Sequence, residues 1–420
     1  MFNLFKGDRV FCGLDIGSGR VKASVVNFKG LESCEVLGAH DAPTNGFKKS
    51  SVSDLGDLAE CIQLTVSTLA KKTGLKIKHI QLGVGAELIE SRRSQAVIPL
   101  VDKGSKVISL SDIKRVNEQA RLLGMKMDED TIHEFAQMYK IDEVNSALNP
   151  IGLYARKMSV DLLLIVVQMT RVNNLMKAVN QAGFEVDHSF FSSYAAGAAS
   201  LDAKMKTDGC ALIDIGSNST NVLIFKDGFL HHLDSLSLGG DLATRNIAQN
   251  LHLSFDLAEE MKKSSGMALN AQQDMQDADE EVLVKSETGY LPVKREMICR
   301  FLEPEINKMV SAVDQTLRGP FYHHLKSGII IVGGGSLLPG LLERIEKVTN
   351  LTVRMGKVNG GGIHLNSPAL FSASVGLAQL GFRKTFFSQF PVQLSTTGTS
   401  AAGWMKGLSN RLKELYQEYF

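Results

Sequence analysis

Residues 11–26 read FCGLDIGSGRVKASVV and residues 211–225 read ALIDIGSNSTNVLIF. Each is an apolar run ending in an aspartate, Asp15 or Asp214, then a turn of small residues and a second apolar run. Apolar runs broken by such a turn predict two β-hairpins. Small turn residues let backbone N–H groups converge on an anion, and a carboxylate at the strand end suits a hard cation beside phosphate oxygens. One copy reads most simply as a tight turn. Two copies roughly 200 positions apart, with a third glycine-rich turn at Gly333, Gly334, Gly335 and Ser336 after the apolar run 328–332, predict a clamp that grips a nucleotide's phosphates from two sides.

The bulk numbers narrow the class. At 420 residues the chain is too long for one ordinary core, and two or three domains are expected. With 44% hydrophobic and 22% charged residues and a net charge of +1, it reads as an ordinary soluble globular protein with no basic stripe for nucleic acid. The five cysteines, Cys12, Cys34, Cys61, Cys210 and Cys299, are scattered without a Cys-x-x-Cys pair, which suits buried thiols in a reducing compartment. The opening residues MFNLFK are charged too early for a signal peptide, and the longest apolar stretch, 160–167, is interrupted by Asp161 and fits a buried strand.

Outward from the first hairpin, residues 55–69 recur apolar at helical spacing until Gly74, and 79–84 are strand-like. Residues 87–158 then break the rhythm with a strand at 96–101, a helix opened by Ser111 with Ile113, Val116, Leu122 and Leu123 on one side, and an alternating run at 132–139. This is expected to be a small inserted α/β module. The strand 162–167, a helix at 173–182 and the small-residue run 192–201 resume the main order; that run suits either close packing at a domain junction or a plain Ala-rich buried helix. Residues 270–281 are acidic and poor in apolar side chains, an exposed excursion. Beyond residue 390 a Ser/Thr/Gly linker leads to residues 404–420, where Trp404, Met405, Leu408, Leu412, Leu415, Tyr416, Tyr419 and Phe420 fall on one side of a helix. Such a helix suits a bilayer interface or a partner groove.

No Walker P-loop stands near any strand end, and Gly17-x-Gly19 is followed by a strand where a dinucleotide fold needs a helix. The two hairpins and the turn at 333–336 resemble the actin/Hsp70/sugar-kinase ATPase superfamily, over most of residues 9–383. That resemblance implies an α/β, two-lobed actin-like ATPase fold that binds ATP with Mg2+. Asp15 and Asp214 would face the Mg2+ through water. Gly17, Ser18, Gly19 and Lys22 would meet the phosphates from one side, and Gly216, Ser217, Asn218 and Ser219 from the other. Gly239, Gly240, Glu259 and Lys262 would hold ribose and adenine, with Gly333 to Ser336 against the adenosine; Glu259 and Lys262 fit equally well an exposed helical charge pair. His188 is the candidate for orienting water in hydrolysis, or a structural histidine.

Within the superfamily the insertion, the segment 149–153, the Glu259/Lys262 spacing and above all the linker and amphipathic tail resemble the FtsA family of bacterial cell-division proteins. This implies a first lobe of 1–86, 159–205 and 366–390, an inserted subdomain at 87–158, and a second lobe of 206–235 and 306–365 with an outer subdomain at 236–305. The linker 391–403 and the membrane-targeting helix 404–420 complete it. The implied protein polymerises on the cytoplasmic face of the inner membrane at the division site and binds the C-terminal tail of FtsZ, with 294–308 as candidate contact. Lipid, other copies of itself and other division proteins are the further partners. The second loop departs from the family's pattern: Asn221 stands where an acid is usual, which points to weak or absent ATPase activity. The alternatives are a soluble small-molecule kinase or phosphohydrolase of the same superfamily, or a PilM-like pilus-assembly scaffold.

Overall fold

A computed structural model describes residues 9–389, apart from 32, 49–50, 269–280, 287–288 and 364. The expected linker, the expected amphipathic helix with its eight apolar residues and nearly all of the expected acidic excursion lie outside the described residues. The apolar runs around Asp15 pair as a hairpin of β1 (Arg9–Ile16) and β2 (Arg20–Phe28), with Asp15 directly opposite Lys22, and β3 (Cys34–Pro43) extends it. Helix α1 (Leu55–Thr73) starts where the Asp54 carboxylate accepts the Asp57 N–H and stops at Gly74, whose φ of 69° is open to glycine at little cost. Strand β4 (His79–Val84) then lies parallel to β1.

The insertion builds its own sheet. Strands β5 (Ile89–Pro99), β6 (Glu129–Ile141) and β7 (Lys157–Gln168) pair antiparallel with β7 in the middle, and α2 (Leu110–Gly124) packs on them. Arg92 on β5 grips Glu129 on β6 with two hydrogen bonds, at 2.6 and 2.8 Å, and holds its carboxyl down to about 2. The expected boundary at residue 158 is corrected here: β7 belongs wholly to the inserted sheet. Its unbroken apolar run misleads because both faces are covered, Val160, Leu162 and Leu164 by the module's core and Leu163 and Ile165 by the lobes. Helix α2 also begins earlier than expected. Ser109 and Asp112 form a capping box. The buried stripe is Val116, Asn117 and Ala120, leaving Leu122 and Leu123 60% and 67% exposed.

Helix α3 (Met169–Gln181), β8 (Glu185–Phe191) and α4 (Ser192–Ser200) return to the first lobe, whose sheet runs β8-β4-β1-β2-β3 with Gly361–Gly362 at the outer edge. The second lobe repeats the plan. Strands β9 (Cys210–Ile215) and β10 (Thr220–Lys226) form the second hairpin, β11 (Phe229–Leu236) extends it, and β12 (Ile329–Val332) lies parallel to β9 as β4 does to β1. Helices α5 (Gly240–Leu251), α6 (Phe255–Ser265) and α7 (Arg295–Leu317) form the outer part, and α8 (Leu341–Thr349) leads to the last strand of the sheet, β13 (Val353–Met355). Helix α9 (Pro368–Gln389) then packs against β1, β2 and α4. All nine residues of α4 are buried, and a Cβ on Gly376 would run into the Ala195 carbonyl. The small residues therefore serve a close helix crossing at the junction of the lobes. Among the described residues no helix is long and apolar enough to cross a membrane, and all five cysteines are free thiols.

Candidate nucleotide site between the hairpins

The two turns are braced from outside and face each other. In the first, the Gly17 N–H donates to Arg20 O at 3.1 Å, and Thr44 at the end of β3 holds it with its hydroxyl on Gly17 O (2.7 Å) and its N–H on Gly19 O (3.2 Å). In the second, Gly216 N–H donates to Ser219 O at 2.9 Å, while the first N–H groups of α5, at Gly240 and Asp241, donate to Gly216 O and Ser217 O at 3.0 and 2.8 Å. A Cβ on Gly19 would stand 3.1 Å from the Ser217 hydroxyl. Ser18, Ser217, Asn218 and Ser219 are partly exposed at the tips. The third turn closes on the same place: Gly333 has φ 86° and its Cα lies against the Asp214 carboxylate and Ile215 carbonyl, so only glycine fits. Gly334 and Gly335 continue this turn, and the buried Ser336 spends its hydroxyl on Gly333 O at 2.6 Å, holding the turn's shape.

Between the turns stand the two acids. Lys22 Nζ lies 2.7 Å from Asp15 Oδ2, and the Ser192 hydroxyl donates to Asp15 Oδ1 at 2.8 Å. Its neighbour Ser193 donates to Asp214 Oδ2 at 2.6 Å. The first two residues of α4 thus serve one acid each. Asn221 donates to Ser193 Oγ at 2.9 Å and accepts from Ser235 Oγ at 2.8 Å, a double role that an ionised acid could not fill. Burial pushes the Asp214 carboxyl up, with Ser193 and Lys22 opposing and Asp15 adding to the rise. Burial works against the Lys22 charge, yet Asp15 beside it and Asp214 and Asp41 around it hold its pKa above the ordinary lysine value.

Glu259 and Lys262 are not a solvated pair. Lys262 Nζ is 2.5 Å from Glu259, 3.0 Å from Gly240 O and 2.7 Å from Thr244 Oγ1, and Thr244 passes its own hydrogen to Glu259. Burial resists ionisation of Glu259, but Lys262 and these hydrogen bonds bring its carboxyl below the usual range. Gly239 backs onto Ser217 and Asn218, so the group is continuous with the second turn. His188 is placed elsewhere. It sits in β8 opposite Gln81, its ring 6.1 Å from that of Phe190, and burial together with Lys384 lowers its pKa. The strand runs three more residues before α4 begins, so Ser192 and Ser193, not His188, stand at the acids. The Ser-Ser doublet at the strand-to-helix junction was the available signal, overshadowed by the alanines after it.

Two acids among small-residue turns fit a magnesium ion that keeps most of its waters, and among the described residues no group of three or more acidic, histidine or cysteine side chains is arranged to hold a metal directly. Two sheets of like plan, each offering an Asp-turn hairpin to the cleft, define the actin-like ATPase fold. Solved structures agree: the PilM-PilN type IV pilus biogenesis complex matches with TM-score 0.64 at 16% identity over 88% of this chain and 98% of that one. MreB5 of Spiroplasma citri, solved bound to ADP, matches with TM-score 0.54 at 12% identity over 91% and 99%. Residues 86–166 match the model of the SHS2 domain inserted in FtsA, and residues 211–376 match that of cell division protein FtsA. FtsA of Pseudomonas aeruginosa is 27% identical over 382 residues, 90% of each chain. The chain belongs to the FtsA family and is an actin-like cell-division protein.

Proposed function

We propose that the protein binds ATP with Mg2+ between its two hairpins and uses nucleotide state to control assembly on a membrane, where it anchors the FtsZ polymer of the division ring. The observation that carries the nucleotide reading is the single helix start at Ser192 and Ser193 that serves both Asp15 and Asp214 across two facing glycine-containing turns. Lys22, Gly17 to Gly19 and Gly216 to Ser219 would hold the phosphates, and Glu259 and Lys262 beside Gly240 the nucleoside. Asn221 in place of an acid, and two serines already engaged where a water would need orienting, support slow turnover or none. The surface for the FtsZ tail is proposed on residues 294–308, where Met297 is 42% exposed on α7 while Ile298, Cys299, Leu302 and Ile306 anchor its other side. The inserted module would supply contacts to neighbouring subunits or later division proteins.

Residues 404–420 supply the membrane contact, on the cytoplasmic face of the inner membrane. Their apolar side with Trp404 at one end and Tyr419 and Phe420 at the other suits the interface, while few cations limit the affinity of one copy. Vesicle co-sedimentation tests this: full-length protein is expected to pellet with inner-membrane lipid and a chain ending at Gly403 to stay in the supernatant. Equal pelleting of the two would remove the tether. Rapid phosphate transfer dependent on a small-molecule substrate would instead favour the soluble kinase or phosphohydrolase.

A further inference from the structure

One face of β6 carries contacts from the inserted module to both lobes. His133, Phe135 and Gln137 alternate along that strand and share the face. Each meets a different element. His133 Nε2 accepts the Phe191 N–H at 3.0 Å, the Phe135 ring lies 5.0 Å from that of Tyr194 on α4, and Gln137 Nε2 donates to Leu230 O on β11 at 2.9 Å. Arg93 on β5 adds a bond to His231 O, also on β11, at 3.1 Å. The module therefore holds the first lobe at Phe191 and the second at β11, and Phe135 shares one core with Phe191, Leu212, Phe225 and Val332.

Phe191 closes β8, an edge strand, so the side of it turned away from β4 has no ladder partner. His133 supplies that partner. The next two residues are the serines on Asp15 and Asp214. To accept at Nε2 the imidazole is neutral with its proton on Nδ1, and burial among aromatic rings with Lys384 nearby lowers its pKa to about 3, which keeps it in that form.

We propose that His133 is a positioning residue for the nucleotide site: by holding the Phe191 N–H from the inserted module it sets where Ser192 and Ser193 stand against the two acids, and so ties phosphate recognition to the seating of the module. The proposal rests on the nucleotide reading above. Its test uses the full chain with fluorescent ATP and ADP analogues and Mg2+, comparing wild type, His133→Leu and His133→Gln. The leucine variant lacks the acceptor and is expected to lose about tenfold in ATP affinity and less for ADP, lowering the ATP/ADP preference by about threefold; glutamine, which carries an acceptor at similar reach, restores the preference. A leucine variant with the wild-type preference, or a glutamine variant as impaired as leucine, overturns the role. Wild type that binds neither nucleotide sinks the nucleotide reading itself. Should the leucine variant fail to fold, 15N-histidine spectra of the wild type decide: His133 Nε2 is expected unprotonated and to shift more with ATP than with ADP, and a resonance that ignores both nucleotides overturns the proposal.

Discussion

Asp214 carries a conflict between stability and binding. An acid whose folded pKa is raised costs nothing at low pH, where it is protonated in both states, and costs its full amount once pH exceeds the folded value. Burial raises Asp214, so this group makes the nucleotide-free protein less stable as pH climbs through the carboxylate range. A bound cation would offset that cost. Asp214→Asn, which keeps an oxygen for Ser193, is therefore expected to raise the melting temperature of the nucleotide-free protein at neutral pH by about 2 °C and to flatten its dependence on pH. On the proposed nucleotide reading, the same change is expected to weaken magnesium-ATP binding by about tenfold, or ~1.4 kcal/mol. Calorimetric melting and titration check the pair, and a variant both less stable and equally good at binding would contradict the account. Sequence showed both acids, Lys22 and the turns; it missed the two serines and Thr44, because a hydroxyl's role depends on which carboxylate or carbonyl folding brings to it.

At the scale of elements, the crossing of α4 and α9 decides how closely the lobes meet. Gly376 lies against the Ala195 carbonyl and Gly13 against Ser374 O, so the backbones touch where side chains normally intervene. A methyl group at Gly376 must push α9 away from Ala195 of α4, and Gly376→Ala is expected to cost ~1–3 kcal/mol in urea unfolding. Gly361→Ala, with open space around its position, is the control and stays within about 0.5 kcal/mol. An equal loss at both sites would show that the crossing does not set the cost at Gly376, since the lower entropy of the unfolded chain with alanine works in the stabilising direction. Hairpins and helices were legible from apolar spacing and caps. The owner of β7 was not, because a strand buried on both faces has the same pattern in either sheet.

Across the whole molecule, the proposed membrane contact would draw its affinity for lipid from assembly. One weakly cationic amphipathic helix of the kind proposed for 404–420 would bind modestly, whereas subunits aligned in a filament would present each further helix at high effective concentration, raising attachment by roughly 10²–10⁴-fold when the geometry allows. Electron microscopy on lipid monolayers is expected to show filaments of the full chain with ATP and a bare surface for the chain ending at Gly403. Filaments of the shortened chain covering lipid equally would move the membrane contact away from the tail. The inserted module has a core of its own and grips both lobes.

The sequence by itself determined the paired Asp-turn hairpins, the insertion and the family, because these are local patterns of apolar spacing and small residues. Tertiary structure alone decided which groups share the cleft. It brought Ser192 and Ser193 to acids 177 and 21 positions away, drew Lys262 onto Gly240 and Glu259 onto Thr244, left His188 aside and set His133 behind Phe191. Those contacts follow from how two sheets and an inserted third pack around one helix crossing, and no run of neighbouring residues records that.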